Sequence, residues 1–310
     1  MPKKDLPKPD AIIVSSLSLL TIFNGLLLRR KFKCRLIFEI RDIWPLTLTE
    51  EGGFSSRNPF VVGLSCVEKL GYRNSDSIVG TMPNLQEHVD SVCNSTKPVY
   101  CIPMGVTDTA LAEQELVSVE YLKSYIPSDK FIVAHAGTIG STNALDTFFE
   151  CAEALAANTK IHFCIIGDGD LREYYQKKYE HLDNITFAPR VKKSMVQSIL
   201  SKCDLLYFSV HDSKIWQFGQ SLNKVIDYML AGKPILASYS GFPSMINEAG
   251  SGTYIPAGDA KALESEIIKF SGLSEKERQK MGNQGREWVL SNRTYQVLAD
   301  NYLKILFPDS

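Results

Sequence analysis

Short apolar runs alternate with helical patterns along almost the whole chain, and this alternation restricts the fold more than any other feature. Runs that are apolar at nearly every position lie at 11–16, 35–40, 76–81, 99–104, 131–136, 161–166, 185–188, 204–209 and 234–238. A strand with one wet face alternates apolar and polar residues, whereas a strand without a polar face must be covered on both sides. Between the runs stand helix-length stretches such as DTFFECAEALAA and SMVQSILSKC. The pattern predicts α/β units whose parallel sheets lie between layers of helix. A chain of 310 residues holds two such domains, each with its own core. The predicted boundary is LKSYIPSDKFIV, where a helix ends, Pro127 and Ser128 follow, and a strand opens at Phe131. Residues 1–127 then form a first domain, 128–287 a second, and 288–310 a terminal helix packing back toward the first.

One segment competes with this reading. Residues 11–28, AIIVSSLSLLTIFNGLLL, carry no charge and run into RRKFK, as a membrane span does. Ser15, Ser16, Ser18, Thr21, Asn24 and Gly25 make the segment only moderately apolar. It divides instead into a strand (AIIVSS) and a helix (LSLLTIFNGLLLRR), with the strand RLIFEI following. Global charge names no partner, since 34 basic residues face 35 acidic ones, and nothing here indicates nucleic acid. The excess is local: residues 1–41 hold nine Lys or Arg against three Asp or Glu, a balance suited to an anionic lipid surface or an anionic substrate.

The seven cysteines are scattered, without a C-x-x-C pair, and several sit in apolar runs such as HFCIIG and VYCIPM. This usage fits a reducing cytoplasm without disulfides or structural zinc. Walker A, HExxH and G-x-S-x-G motifs are absent from the sequence. GDGDLR follows a strand but has Arg172 where a dinucleotide fingerprint needs its third glycine.

The stretch SLNKVIDYMLAGKPIL is more informative. Leu222, Val225, Ile226, Met229 and Leu230 form one apolar helical stripe, with Ser221 as a candidate N-cap and Gly232 and Pro234 as the stop. Asn223, Lys224 and Asp227 are left over: either a solvated face or one end of a binding site.

In order and spacing, FEIRDIWPLTLTE, VYCIPMGVTD, VAHAGTIGSTNALDTFFEC, FCIIGDGDLREYY, ITFAPRVKKSM, CDLLYFS and SLNKVIDYMLAGKPIL resemble the family 4 glycosyltransferases. The resemblance spans residues 8–305 and is nearest to the bacterial branch that builds O-antigen and capsule, often with N-acetylated amino sugars. It implies the α/β GT-B architecture: two Rossmann-like doubly wound domains facing across a cleft, with acceptor on the first and nucleotide-sugar on the second. It implies a retaining transfer from a nucleoside-diphosphate sugar to a lipid-linked or saccharide acceptor, in the cytoplasm or peripherally on the cytoplasmic face of the inner membrane. No cofactor or metal is expected.

By the same resemblance, the helix carrying Asn223, Lys224 and Asp227 meets the donor, with Ser221 and Asn223 at its amino end. Lys224 neutralises the diphosphate, and Asp227 accepts from the ribose hydroxyls. Gly137, Thr138 and Gly140 of the loop GTIGSTN and Arg190 complete the donor set. Arg41, Asp42 and Glu50 face the acceptor, with Asp42 and Lys224 as the catalytic pair; an Arg41–Asp42 pair capping a turn is the structural alternative. Three departures stand out. Gly219 replaces a common glutamate, Thr138 and Asn143 replace common basic residues, and the usual first strands are missing. The last implies an incomplete N-terminal domain, a fragment or remnant, or a partner chain that supplies those strands.

Overall fold

The computed structural model describes residues 7–94, 97–107 and 114–308. Lys3 and Lys4 of the basic region, and Asp108 of VYCIPMGVTD, lie outside the described residues. Two all-parallel sheets carry the fold. β1 (Ala11–Ser15), β2 (Arg35–Ile40), β3 (Ser77–Gly80) and β4 (Val99–Cys101) form the first, in the order β1-β2-β3-β4. β5 (Phe131–Ala136), β6 (Ile161–Ile166), β7 (Ile185–Ala188), β8 (Leu205–Ser209), β9 (Ile235–Ser238) and β10 (Gly252–Ile255) form the second, in the order β10-β9-β8-β5-β6-β7. Renumbered from β5, that order is 3-2-1-4-5-6, the Rossmann arrangement, and its direction of winding reverses between β5 and β8.

The predicted strands are present, most of them trimmed by a residue or more at their ends. β10 is the strand the apolar runs miss. GTYI, paired only with β9 among the described residues and half-buried over three of its four residues, opens on Gly252 and Thr253 and lacks a continuous apolar stretch. Residues 11–28 divide into β1, a short 3-10 turn and the front of a Thr21–Phe32 helix. No helix among the described residues is long and apolar enough to cross a membrane.

The chain separates into two compact units: Met1–Pro103 with Ser213–Ser221 and Gln296–Ser310, and Met104–Asp212 with Leu222–Tyr295. The first crossing comes before the Pro127–Ser128 stretch because residues 115–125 bond to the second unit. Glu115 N donates to Ser194 O (3.0 Å), Val117 N to Ser198 Oγ (3.1 Å) and the Tyr121 hydroxyl to Pro189 O (2.7 Å). The second unit's core is aromatic: Phe148 lies against Phe149, Phe163 and Tyr207, and Phe149 stacks on Tyr175 and Tyr179.

In the first unit Phe38, Tyr72, Ile78, Leu85 and Phe218 pack together. Glu68 is buried beside that core and accepts from the Tyr72 hydroxyl (3.0 Å) and bonds His88 Nε2 (2.7 Å). Burial, then the Glu68 charge, pushes the Tyr72 phenol well above its ordinary pKa. The Tyr295–Leu306 helix sets Ile305 and Leu306 against Ile37 and Val79, while the Tyr302 hydroxyl donates to Glu39 (3.1 Å).

Candidate donor site

At the reversal point the ladder between β5 and β8 is short, pairing Val133 with Leu205 and Ala134 with Leu206. Past it the strands diverge, and the Tyr228 hydroxyl fills the gap. It accepts from Ala136 N (2.8 Å) and lies 3.1 Å from Ala136 O and 3.2 Å from Tyr207 O. A buried phenol thus pins the Asn223–Leu230 helix to the carboxyl ends of two strands. Nothing in the sequence marked Tyr228 for this, because it reads as one more apolar residue of a buried helix.

The loops after β5 and β6 zip together beyond the sheet. Gly137 N donates to Ile166 O (2.9 Å), Ile139 N to Asp168 O (2.9 Å) and Leu171 N to Ile139 O (3.0 Å). The approach is so close that a Cβ on Gly167 would stand 1.9 Å from Gly137 O, and one on Gly169 would stand 2.2 Å from Ile139 O. Both glycines also have positive φ, so GDGDLR owes its glycines to loop packing. Arg172 belongs to the same device. Its guanidinium donates to Gly167 O (2.5 Å), Ala188 O (3.0 Å) and Phe187 O (3.0 Å), covering the carbonyl ends of β6 and β7.

Above these loops opens a cavity of about 350 Å³ whose walls include Gly137, Thr138, Asp168, Arg190, Lys224 and Asp227. Arg190, in the loop after β7, is exposed at its rim. Asp227 is ion-paired with Lys193, and Gln197 Nε2 donates to its main-chain carbonyl (3.0 Å). Lys224 Nζ donates to the side-chain oxygen of the buried Asn143. Burial, which disfavours the charged form, lowers the Lys224 pKa to about 8. Beneath them His135 is fully buried on β5; burial first, and then the nearby Lys224 charge, takes it down to about 3, so the imidazole is neutral. A second hollow, about 510 Å³, adjoins the same helix and shares Lys193 and Asp227 as its wall, with Asn223 on its far side.

The polar trio therefore does not share one face: Asn223 and Lys224 line different cavities, and Asp227 lines both. The expected N-cap is corrected. The helix begins at Asn223 and its N-cap is Leu222, extended and without a side-chain cap bond; Ser221 precedes it, has its contacts in the first unit and does not line the cavity. Gly140 is also off the wall, buried beneath it, where a Cβ would meet Asp170 Oδ1 at 2.8 Å. Asn143, seen in the sequence only as the loss of a base, is the residue that holds Lys224.

In the first unit, Arg41 Nε pairs with Glu39 (2.8 Å) rather than with its neighbour Asp42, because alternate residues of an extended chain share a side. The turn is held by Ser16, whose hydroxyl accepts from Arg41 N (2.9 Å) and donates to Asp42 O (3.1 Å), leaving the Asp42 side chain exposed. Glu50 is ion-paired with Lys214 (3.8 Å). Gly219 has a positive φ, and a Cβ there would stand 2.4 Å from Pro83 Cδ, so the glutamate common at this position in the family has no room here. Among the described residues, no three His, Cys, Asp or Glu side chains gather as metal ligands.

An α/β unit of Rossmann order, joined in one chain to a second parallel-sheet unit, is the GT-B architecture. Residues 130–271 match the family described as Glycosyl transferases group 1, and the two parallel-sheet, Rossmann-like units give the chain the GT-B fold. Solved structures with the same fold include sucrose-phosphate synthase from Thermosynechococcus elongatus (TM-score 0.72, 19% identity, 97% of this chain and 74% of that one). Anabaena HepE in complex with UDP and glucose is another (0.65, 14%, 96% and 77%). WaaG, a glycosyltransferase involved in lipopolysaccharide biosynthesis, is a third (0.64, 15%, 90% and 80%). No curated protein matches the sequence.

Proposed function

We propose that the protein transfers a sugar, an N-acetylated amino sugar by the resemblance of its motifs, from a nucleoside diphosphate to a lipid-linked saccharide in cell-surface polysaccharide synthesis, on the cytoplasmic face of the membrane. The observation that carries this reading is the joint placement of Lys224 and Asp227 on one cavity at the carboxyl ends of β5, β6 and β7. Ligands of open parallel sheets bind at such a reversal point. A lysine and a carboxylate there suit a diphosphate and a pair of ribose hydroxyls respectively. The crystallised complex of HepE with UDP and glucose supports the choice of ligand class.

In this reading Arg190 joins Lys224 on the phosphates, and Arg41, Asp42 and Glu50 serve the acceptor. The acceptor hydroxyl attacks the anomeric carbon on the face the diphosphate leaves. As the bond from carbon to the β-phosphate oxygen breaks, that phosphate takes the hydroxyl proton, which retains the configuration. Lys224 stabilises the charge that builds on the leaving group, so the chemistry needs little dedicated base.

A second reading rests on β1, whose outer edge pairs with no strand among the described residues and whose Ile13 is 48% exposed. Here the chain is a donor-binding subunit that works with a polypeptide supplying further strands. Calorimetry with UDP-, GDP- and dTDP-sugars, followed by transfer assays, separates the two. Lys224→Ala and Asp227→Ala should each weaken nucleotide binding by roughly 1–3 kcal/mol, the range for a lost charge-assisted hydrogen bond. Unchanged affinity in both variants with folding intact removes the site; tight binding without transfer favours the subunit reading.

A further inference from the structure

The contact between Lys224 and Asn143 carries an inference that rests on the nucleotide-site reading and adds a property to it. We propose that Asn143 is a positioning residue that aims Lys224 into the cavity without giving it a counter-ion, so that binding of a nucleoside diphosphate draws a proton onto Lys224 from solvent.

Asn143 is fixed at every polar point the structure records. Its side-chain nitrogen donates to Thr138 O (3.0 Å), its main-chain N to Gly140 O (3.1 Å), and its carbonyl accepts from the Ser209 hydroxyl at the end of β8 (2.7 Å). With the nitrogen committed to a carbonyl, the amide oxygen is turned toward Lys224. The amide offers the ammonium a dipole but no charge.

The groups around Lys224 leave that charge uncompensated. Asp227, one turn along the same helix, is engaged by Lys193, and Asp168 in the loop after β6 accepts from Gly169 N (2.9 Å). His135 below is neutral, and Arg190 at the rim adds positive charge. No carboxylate is ion-paired with Lys224 among the described residues, and burial alone holds its pKa near 8. A diphosphate entering the cavity supplies the missing anion and favours the charged amine. The sign follows: near neutral pH the lysine already carries its proton, and uptake grows as pH rises through 8. A carboxylate at position 143 would reverse both halves of the design, charging the lysine beforehand and competing with the diphosphate.

The test is calorimetric titration of the whole chain with UDP at about pH 8.5, where its phosphates are already fully ionised, in two buffers of different ionisation enthalpy. The wild type should take up more than half a proton per UDP bound, and much less at about pH 6.5. Asn143→Asp, nearly isosteric and therefore expected to fold, should lose most of the uptake and bind about tenfold more weakly. Asn143→Ala should weaken binding while keeping the uptake, and Lys224→Met should abolish it. UDP binding without uptake in the wild type, or Asn143→Asp indistinguishable from it, overturns this inference and leaves the nucleotide site standing. Absence of binding by UDP, GDP and dTDP alike at any pH overturns both.

Discussion

The two sheets differ in how completely they are buried, and the difference separates what each unit is built to do. In the second unit β6 is buried at all six positions and lies between β5 and β7, with helices over both faces. In the first, β1 is buried at one position of five, and the segment that follows exposes Leu17 (70%), Leu20 (56%), Phe23 (44%) and Leu27 (69%). Exposed apolar side chains are ordinary on protein surfaces; here Leu17 and Leu20 precede the Thr21–Phe32 helix and Phe23 and Leu27 lie on it, after a strand whose outer edge is unpaired among the described residues. The second unit spends its exceptions differently. Inside a well-covered fold it keeps a desolvated lysine, which costs stability.

The sharpest way to break the comparison is in the second core. Phe148→Ala removes a ring that touches Phe149, Phe163 and Tyr207, and chemical denaturation should register a loss of about 3–5 kcal/mol. A loss below about 1 kcal/mol would mean this core is no better packed than the edge of the first unit.

A smaller effect of opposite sign is expected at the site. The folded pKa of Lys224, about 8, lies below its ordinary 10.5, so between these values the folded state binds fewer protons than the unfolded one and stability rises with pH. Lys224→Met should therefore stabilise the protein at neutral pH by roughly 1–3 kcal/mol and flatten its alkaline rise, while UDP binding weakens. Denaturation curves across this pH range decide it; a destabilised Lys224→Met would show that the lysine is held for structure. The smallest effect belongs to the exposed helix: Leu27→Ser should change stability by less than about 0.5 kcal/mol. A larger loss would mean that this face is covered in solution.

The sequence was most legible where covalent pattern and burial coincide. β5 and β6 stand at the residues their apolar runs marked, since a strand buried on both faces must be apolar throughout. The Asn223–Leu230 helix was readable as an element for the same reason, and its polar residues could be singled out because an apolar stripe leaves them over. β10 was not readable, because GTYI opens on Gly252 and Thr253 and offers no unbroken apolar run, and neither was the return of Ser213–Ser221 to the first unit, which depends on Phe218 finding Tyr72 and His88 far away in the chain.

What only the tertiary structure decided is which polar groups meet. Nothing local to STN in the sequence indicates that Asn143 will hold Lys224, 81 residues on. Nor does MLAGKP reveal that the tyrosine before it will close the gap between β5 and β8. Backbone pattern is written in neighbours three or four residues apart, and from it the sequence determined most of the strands and the α/β class, while the GT-B architecture came from the resemblance of its motifs. A hydrogen bond to a lysine is written in distances set by the twist of a sheet and the length of two loops, and those exist only once the chain has folded.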